Sequence, residues 1–247
     1  MTDQLGYRAR IGIVIPSTNT SCQPESEMLR PPGVTNHVAR ISIQERPLTS
    51  DQAFLEHVTS MRDGMRGALD QVMTCQPTHI IMAVAIEAFW GGVKAADALQ
   101  VELEQRADVG VSMGSTALAR ALRRIGAKSI ALLTPHHPRG DEQVRTYLEE
   151  AGFTVKRLIG MKCASPTLIA HTPPAQIIAN LRQLDGADVD ALVQTGTNLA
   201  AVRLCAAAEQ WLGKPVLAIN AVTYWDALRR NGLSDQQPGF GHMLERY

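Results

Sequence analysis

Ala121-Leu122-Arg123-Arg124-Ile125-Gly126 returns near the C-terminus as Ala227-Leu228-Arg229-Arg230-Asn231-Gly232. Each copy ends on Gly, the residue that tolerates the left-handed conformation just past a helix, so each reads as a last helical turn. Working outward, the preceding strand-like runs also match in order. Val109-Gly110-Val111-Ser112 corresponds to Pro215-Val216-Leu217-Ala218, His79-Ile80-Ile81-Met82-Ala83 to Ala191-Leu192-Val193-Gln194-Thr195, and Ile11–Pro16 to Ile130–Pro135. One shared tetrapeptide is chance; several in one order are a duplication. Two copies of one strand-helix plan predict two pseudo-symmetric lobes whose strand C-termini face a common cleft, the place where open α/β sheets bind ligands.

Short aliphatic runs alternate with longer segments of helical periodicity, the pattern of parallel sheets covered on both faces. Strands are expected at Ile11–Ile15, His37–Ile43, His79–Ala83, Val109–Val111, Ser129–Leu133, Thr154–Leu158, Ala191–Gln194 and Val216–Ile219. The fold class is therefore α/β, with a parallel four-stranded sheet flanked by helices in each lobe. Residues 1–116 plus about 220–247 are expected to form the first lobe and 117–219 the second.

The 247 residues carry 24 Lys plus Arg against 24 Asp plus Glu, so no basic excess exists to neutralise nucleic-acid phosphates. No run of about eighteen apolar residues occurs, and the opening MTDQLGYRAR lacks an apolar leader core; a cytoplasmic protein without a membrane partner is expected. Cys22, Cys75, Cys163 and Cys205 lie far apart without a C-x-x-C pair, which argues against structural zinc and a disulfide framework. Cys75 and Cys205 read as packing thiols.

Four strand-end loops carry the candidate chemistry. Ser17-Thr18-Asn19-Thr20-Ser21 supplies hydroxyls and amides that either cap a helix or, with its free N–H groups, hold a carboxylate. The loop from Ala83 to Gly92 is apolar except for Glu87, a general acid or base if buried, or a first-turn Glu stabilised by the helix dipole. Thr134-Pro135-His136-His137 places imidazoles where they can exchange protons or donate to an oxyanion; no third ligand lies at metal spacing. Gly196-Thr197-Asn198 offers close backbone approach, a hydroxyl and an amide. Ser115 and Thr116, after another strand, either reach the pocket or cap the next helix.

Ile13-Val14-Ile15-Pro16-Ser17-Thr18-Asn19-Thr20 is similar to the opening of maleate isomerases, and Lys214–Asn220, Tyr224–Arg229 and Pro238-Gly239-Phe240-Gly241 look like the C-terminal part of arylmalonate decarboxylases. The resemblance, to the Asp/Glu racemase superfamily, runs over nearly the whole chain. It implies two pseudo-symmetric lobes, no cofactor, a dimer or larger homo-oligomer, and chemistry at carbon beside a carboxylate. It makes Asn19 a substrate-binding active-site residue, and it places Ala85 and Ile86 where decarboxylases stabilise an enediolate, with His136 replacing a tyrosine. The family's two catalytic cysteines fall at Val84 and Gly196, neither of which can add to an alkene or carry a proton.

These readings converge on a cofactor-independent lyase or isomerase without the cysteine pair, acting on a small carboxylic or dicarboxylic acid. Catalysis is assigned to His136, Asn19 and Glu87. Substrate binding is assigned to Ser17, Thr18, Ala85, Ile86, Ser115, Gly196, Thr197 and Asn198, and no metal is expected. Cys22, at a helix N-terminus that lowers a thiol pKa, is the one thiol with a route into the pocket. The alternatives are an inert carboxylate-binding member and a hydrolase using His136 or His137.

Overall fold

The structure is a computed structural model that describes residues 3–48 and 50–247. All eight expected strands form: β1 (Ala9–Pro16), β2 (Val34–Ile41), β3 (His79–Met82) and β4 (Gly110–Met113), then β5 (Ser129–Thr134), β6 (Thr154–Gly160), β7 (Ala191–Gln194) and β8 (Val216–Ala218). They make two four-stranded sheets, ordered β2-β1-β3-β4 and β6-β5-β7-β8, and every pairing is parallel. The central strands are apolar along their length because helices cover both faces; Ile11, Ile13, Val14 and Ile15 are fully buried, as are Ile130 to Leu133.

The lobes repeat down to register. Ile11 pairs with His79 and Ile13 with Ile81, while their counterparts Ile130 and Leu132 pair with Ala191 and Val193. The fourth strands depart by one position: Ile80 pairs with Val111, but Leu192 pairs with Val216 rather than Leu217. Several expected boundaries also shift. β2 starts at Val34 because β1, its partner, already runs from Ala9, and it ends at Ile41 where β1 ends at Pro16. Ile219 belongs to a helix, not to β8.

The helices are α1 (Cys22–Met28), α2 (Asp51–Met73), α3 (Ala85–Phe89), α4 (Gly92–Ala107), α5 (Gly114–Arg124), α6 (Pro138–Glu150), α7 (Pro174–Leu184), α8 (Val202–Leu212), α9 (Ile219–Arg230) and α10 (His242–Arg246). The two ALRR segments end α5 and α9, and these helices pack against each other. Gly126 and Gly232 both sit at φ +73°. In each copy the Gly N–H reaches the carbonyl of the first repeated-pair Arg (Arg123, Arg229), and the next residue's N–H reaches the Leu before it (Leu122, Leu228), a matched pair of Schellman ends. α9 leaves β8 of the second sheet and packs on β3, β4 and α1 of the first, so the chain returns across the molecule. No helix is long and apolar enough to cross a membrane among the described residues.

Candidate active site

The strand-end loops do meet. A cavity between the two sheets is lined by Thr18 and Asn19 after β1, Ala85, Ile86 and Glu87 in α3, Pro135 and His136 after β5, and Gly196, Thr197 and Asn198 after β7. Nine of the eleven residues assigned from the sequence therefore share one cavity. Ser17 and Ser115 are the exceptions. The Ser17 hydroxyl is exposed and tied to the backbone of Ile43, accepting from its N–H at 3.0 Å and donating to its carbonyl at 3.3 Å. Ser115 is fully buried inside the first turn of α5, beside Tyr147, because α5 follows β4 into the core rather than along the cleft.

The two asparagines stitch the lobes together. Asn19 Oδ1 accepts from the N–H groups of Ser21 (3.1 Å) and Cys22 (2.9 Å), so it caps α1. Its Nδ2 donates to Thr197 Oγ1 in the opposite lobe at 3.2 Å. Thr197 Oγ1 thus acts as an acceptor there, which leaves its own hydrogen for another partner. Asn198 is more heavily committed: Oδ1 accepts from Thr20 and Ser21 N–H, and Nδ2 donates to the carbonyls of Thr18 and Pro166. With both amide ends engaged, Asn198 shapes the loop and offers a ligand little. Below them, buried Glu25 of α1 accepts from the N–H groups of Ala201 and Val202, capping α8 of the other lobe, and from Asn220 Nδ2.

His136 and Glu87 behave differently. His136 is held by its backbone, its N–H donating to Thr134 Oγ1 (3.1 Å), whose hydroxyl donates to buried Asp141. Its ring Nε2 is buried without a hydrogen-bond partner, and burial first, then the charges of His57 and His137, lower its pKa to about 4. Glu87, in the first turn of α3, is 2% exposed and neither carboxyl oxygen has a partner. Burial raises its pKa to about 8, against a smaller lowering from its own backbone and from Arg62. Near neutral pH the cavity accordingly holds a neutral imidazole and a protonated carboxyl, one from each lobe. His137 does not line the cavity; its Nε2 sits 3.3 Å from the carbonyl of Cys163.

His57 joins this site and was missed from the sequence because it lies in α2, not in a strand-end loop. It is nearly buried, and burial lowers its pKa. The available signal was helical spacing: Phe54, His57 and Met61 fall at i, i+3 and i+7, and all three line the cavity. The rest of the wall is apolar, from Ile43, Leu48, Pro166 and Ile169.

None of the four cysteines lines the cavity. Cys22 is buried, and burial with neighbouring Glu25 pushes its thiol up to about 12, which overturns the expectation that the helix terminus would activate it. Cys205 is also buried and raised, as a packing thiol should be. Cys75 is instead exposed just beyond α2, its thiol directed to the carbonyl of Val72 at 3.1 Å. At Gly196 a β-carbon would lie 2.7 Å from Pro135 Cγ, so that strand end has no room for a side chain as it stands. Among the described residues no group of three His, Cys, Asp or Glu side chains is placed to hold a metal ion.

Two parallel four-stranded sheets with a cleft between them define an Asp/Glu racemase-like fold. The model of the arylmalonate decarboxylase family matches residues 11–244, and the chain belongs to that family. It is 28% identical to a maleate isomerase of Nocardia farcinica over 98% of this chain and 97% of that one. An arylmalonate decarboxylase of Bordetella bronchiseptica is 23% identical over 64% of this chain and 67% of its own. The Nocardia farcinica maleate cis-trans isomerase, solved as a mutant with a covalently bound succinylcysteine intermediate, superposes with a TM-score of 0.88 at 26% identity, covering 96% of this chain and 98% of that one.

Proposed function

We propose that this protein is a cofactor-independent isomerase or decarboxylase acting at the carbon beside the carboxylate of a small carboxylic acid, and that it works without thiol chemistry. Its relatives are isomerases and decarboxylases named for such acids. The observation that carries the reading is the pair His136 and Glu87, from opposite lobes: both residues line one cavity, and each has buried polar atoms without a hydrogen-bond partner. An orphaned buried polar atom costs about 1–3 kcal/mol, a cost that a bound ligand can offset.

The chemistry follows from the protonation states. Neutral His136 can accept a proton from the carbon beside the carboxylate, the C–H electrons passing into an enediolate; loss of CO2 from that carbon leaves the same enediolate. Protonated Glu87 can return a proton to carbon. The Asn19 amide and the free hydroxyl hydrogen of Thr197 are donors for the enediolate oxygens, and preorganised donors of this kind each lower such a barrier by roughly 3–4 kcal/mol. A succinylcysteine, as in the Nocardia relative, requires a thiol at the alkene. Val84 and Gly196 stand where the resemblance expects cysteines, and Pro135 crowds the space beside Gly196, which supports a route without covalent addition.

The test is incubation with a panel of small carboxylates in deuterated water, followed by proton NMR. Deuterium uptake at the carbon beside the carboxylate, abolished in His136→Asn, or CO2 loss from that carbon is expected. Ligand-induced thermal stabilisation with no chemical change across the panel would instead make this an inert carboxylate-binding member.

A further inference from the structure

We infer that His57 of α2 is the counter-ion for a carboxylate that enters this cavity, taking up a proton from solvent as the anion binds; the inference rests on the carboxylate reading above. Neutral donors are plentiful there. They include the Asn19 amide, the Thr18 and Thr197 hydroxyls, and the N–H groups of Ala85 and Ile86 at the start of α3, which no side chain caps. Such donors orient an anion but carry no positive charge. None of the described lining residues is Lys or Arg, so His57 and His136 are the lining groups that can become cations.

Position separates the two histidines. His136 Nε2 is fully buried and unpartnered. Neither nitrogen of His57 is closed off in this way, and no described residue hydrogen-bonds to its ring, so both nitrogens stay within reach of water. The first turn of α2 packs directly against His136: a β-carbon on Gly140 would lie 3.1 Å from both His136 Cγ and Phe54 Cζ. His57 follows Phe54 by three residues, on the same helix face and lining the same cavity.

The surrounding charges permit the change of state. Burial first, then Arg46, disfavour the protonated ring, and Glu45 opposes them. Arg46 is itself held by Glu56 at 2.6 Å. The other titratable groups facing the cavity are His136 from the loop after β5 and Glu87 from α3. In the free protein the ring is therefore neutral near pH 7, and an anion beside it favours the charged form. A charged His57 in turn disfavours protonation of His136, which keeps that imidazole available as a base.

The deciding experiment is isothermal titration of the full chain with maleate and with malonate near pH 7, in Pipes and in Tris, whose different ionisation heats report the protons taken up. Uptake of about one proton per bound anion is expected, lost in His57→Gln together with about tenfold in affinity. From pH 6.5 to 7.5 the wild-type affinity should fall by as much as about tenfold while that of His57→Gln changes little, a difference that a packing role would not produce. His136→Asn supplies the second variant and should keep the proton uptake. Binding without uptake, uptake undiminished in His57→Gln, or uptake lost in His136→Asn would each overturn the inference, as would failure of both anions to bind. Deuterium incorporation and CO2 loss judge the enzyme reading separately: turnover without proton uptake would leave the carbon-acid enzyme standing, and uptake without chemistry over a wider carboxylate panel would leave the counter-ion standing.

Discussion

Asn19 Nδ2 lies 3.2 Å from Thr197 Oγ1, so the loop after the first strand of one lobe is bonded to the loop after the third strand of the other at the cavity itself. The two residues are separable by mutation. Thr197→Val removes the hydroxyl and keeps the shape, and it is expected to lower kcat about 100-fold. Asn19→Ala should lower kcat similarly but also cost about 1 kcal/mol of stability, because the cap on α1 goes with it. Steady-state rates beside thermal unfolding check both.

Glu87 should make the protein less stable as pH rises. Its folded pKa, about 8, lies above the ordinary value of 4.5, so between those values the folded state keeps a proton that the unfolded state has lost. The favourable difference is complete below 4.5 and disappears as pH climbs through 8. Glu87→Gln cannot ionise, so the stability of the variant relative to wild type should rise across that window. Urea unfolding of both proteins at several pH values between 4.5 and 8.5 checks it; parallel curves would mean Glu87 is not desolvated.

His136 should show the opposite slope. Its folded pKa, about 4, lies below the ordinary 6.5, so the unfolded state binds the proton first as pH falls. Its contribution is intact above 6.5 and is lost on the way down to 4. His136→Asn should therefore gain stability relative to wild type over that acid window while losing turnover at every pH, read by the same unfolding series and by deuterium exchange.

Glu25→Ala should loosen the two lobes. It strips the partner from the buried Ala201 and Val202 N–H groups and takes one of two acceptors from Asn220 Nδ2, which keeps the Thr197 carbonyl at 2.9 Å, at a cost of about 2–4 kcal/mol. A lowered urea midpoint with Asn220 and α8 amides losing hydrogen-exchange protection is the expected result.

Thiol reagents should leave turnover intact. Cys75 is the exposed thiol and should label first, whereas Cys22 and Cys205 are buried with raised pKa values. Mass spectrometry of iodoacetamide-treated enzyme against residual activity decides it; inactivation in step with labelling of Cys22 would restore a thiol mechanism.

The lobes, their strands and their repeat were legible because each rests on local rules: alternation of apolar runs with helical periodicity, and glycine where a helix must end at positive φ. Gly126 and Gly232 show this most directly, since the matching hexapeptides adopt matching hydrogen bonds. The strand-end loops were legible too, because parallel sheets put those ends at a cleft. What the sequence left open was the state of each side chain within them. Ser17 and Asn19 look alike as polar loop residues, yet one turns back onto Ile43 and the other bridges to Thr197. Cys22 sits at a helix terminus that favours a thiolate, but burial outweighs the terminus. His57 enters from the second turn of a helix because α2 lies over the cleft. Local sequence determines which elements form and where they end; burial and partnership are properties of the packed whole, and only the tertiary structure decided that His136 and Glu87 would be left desolvated and unpaired at one cavity.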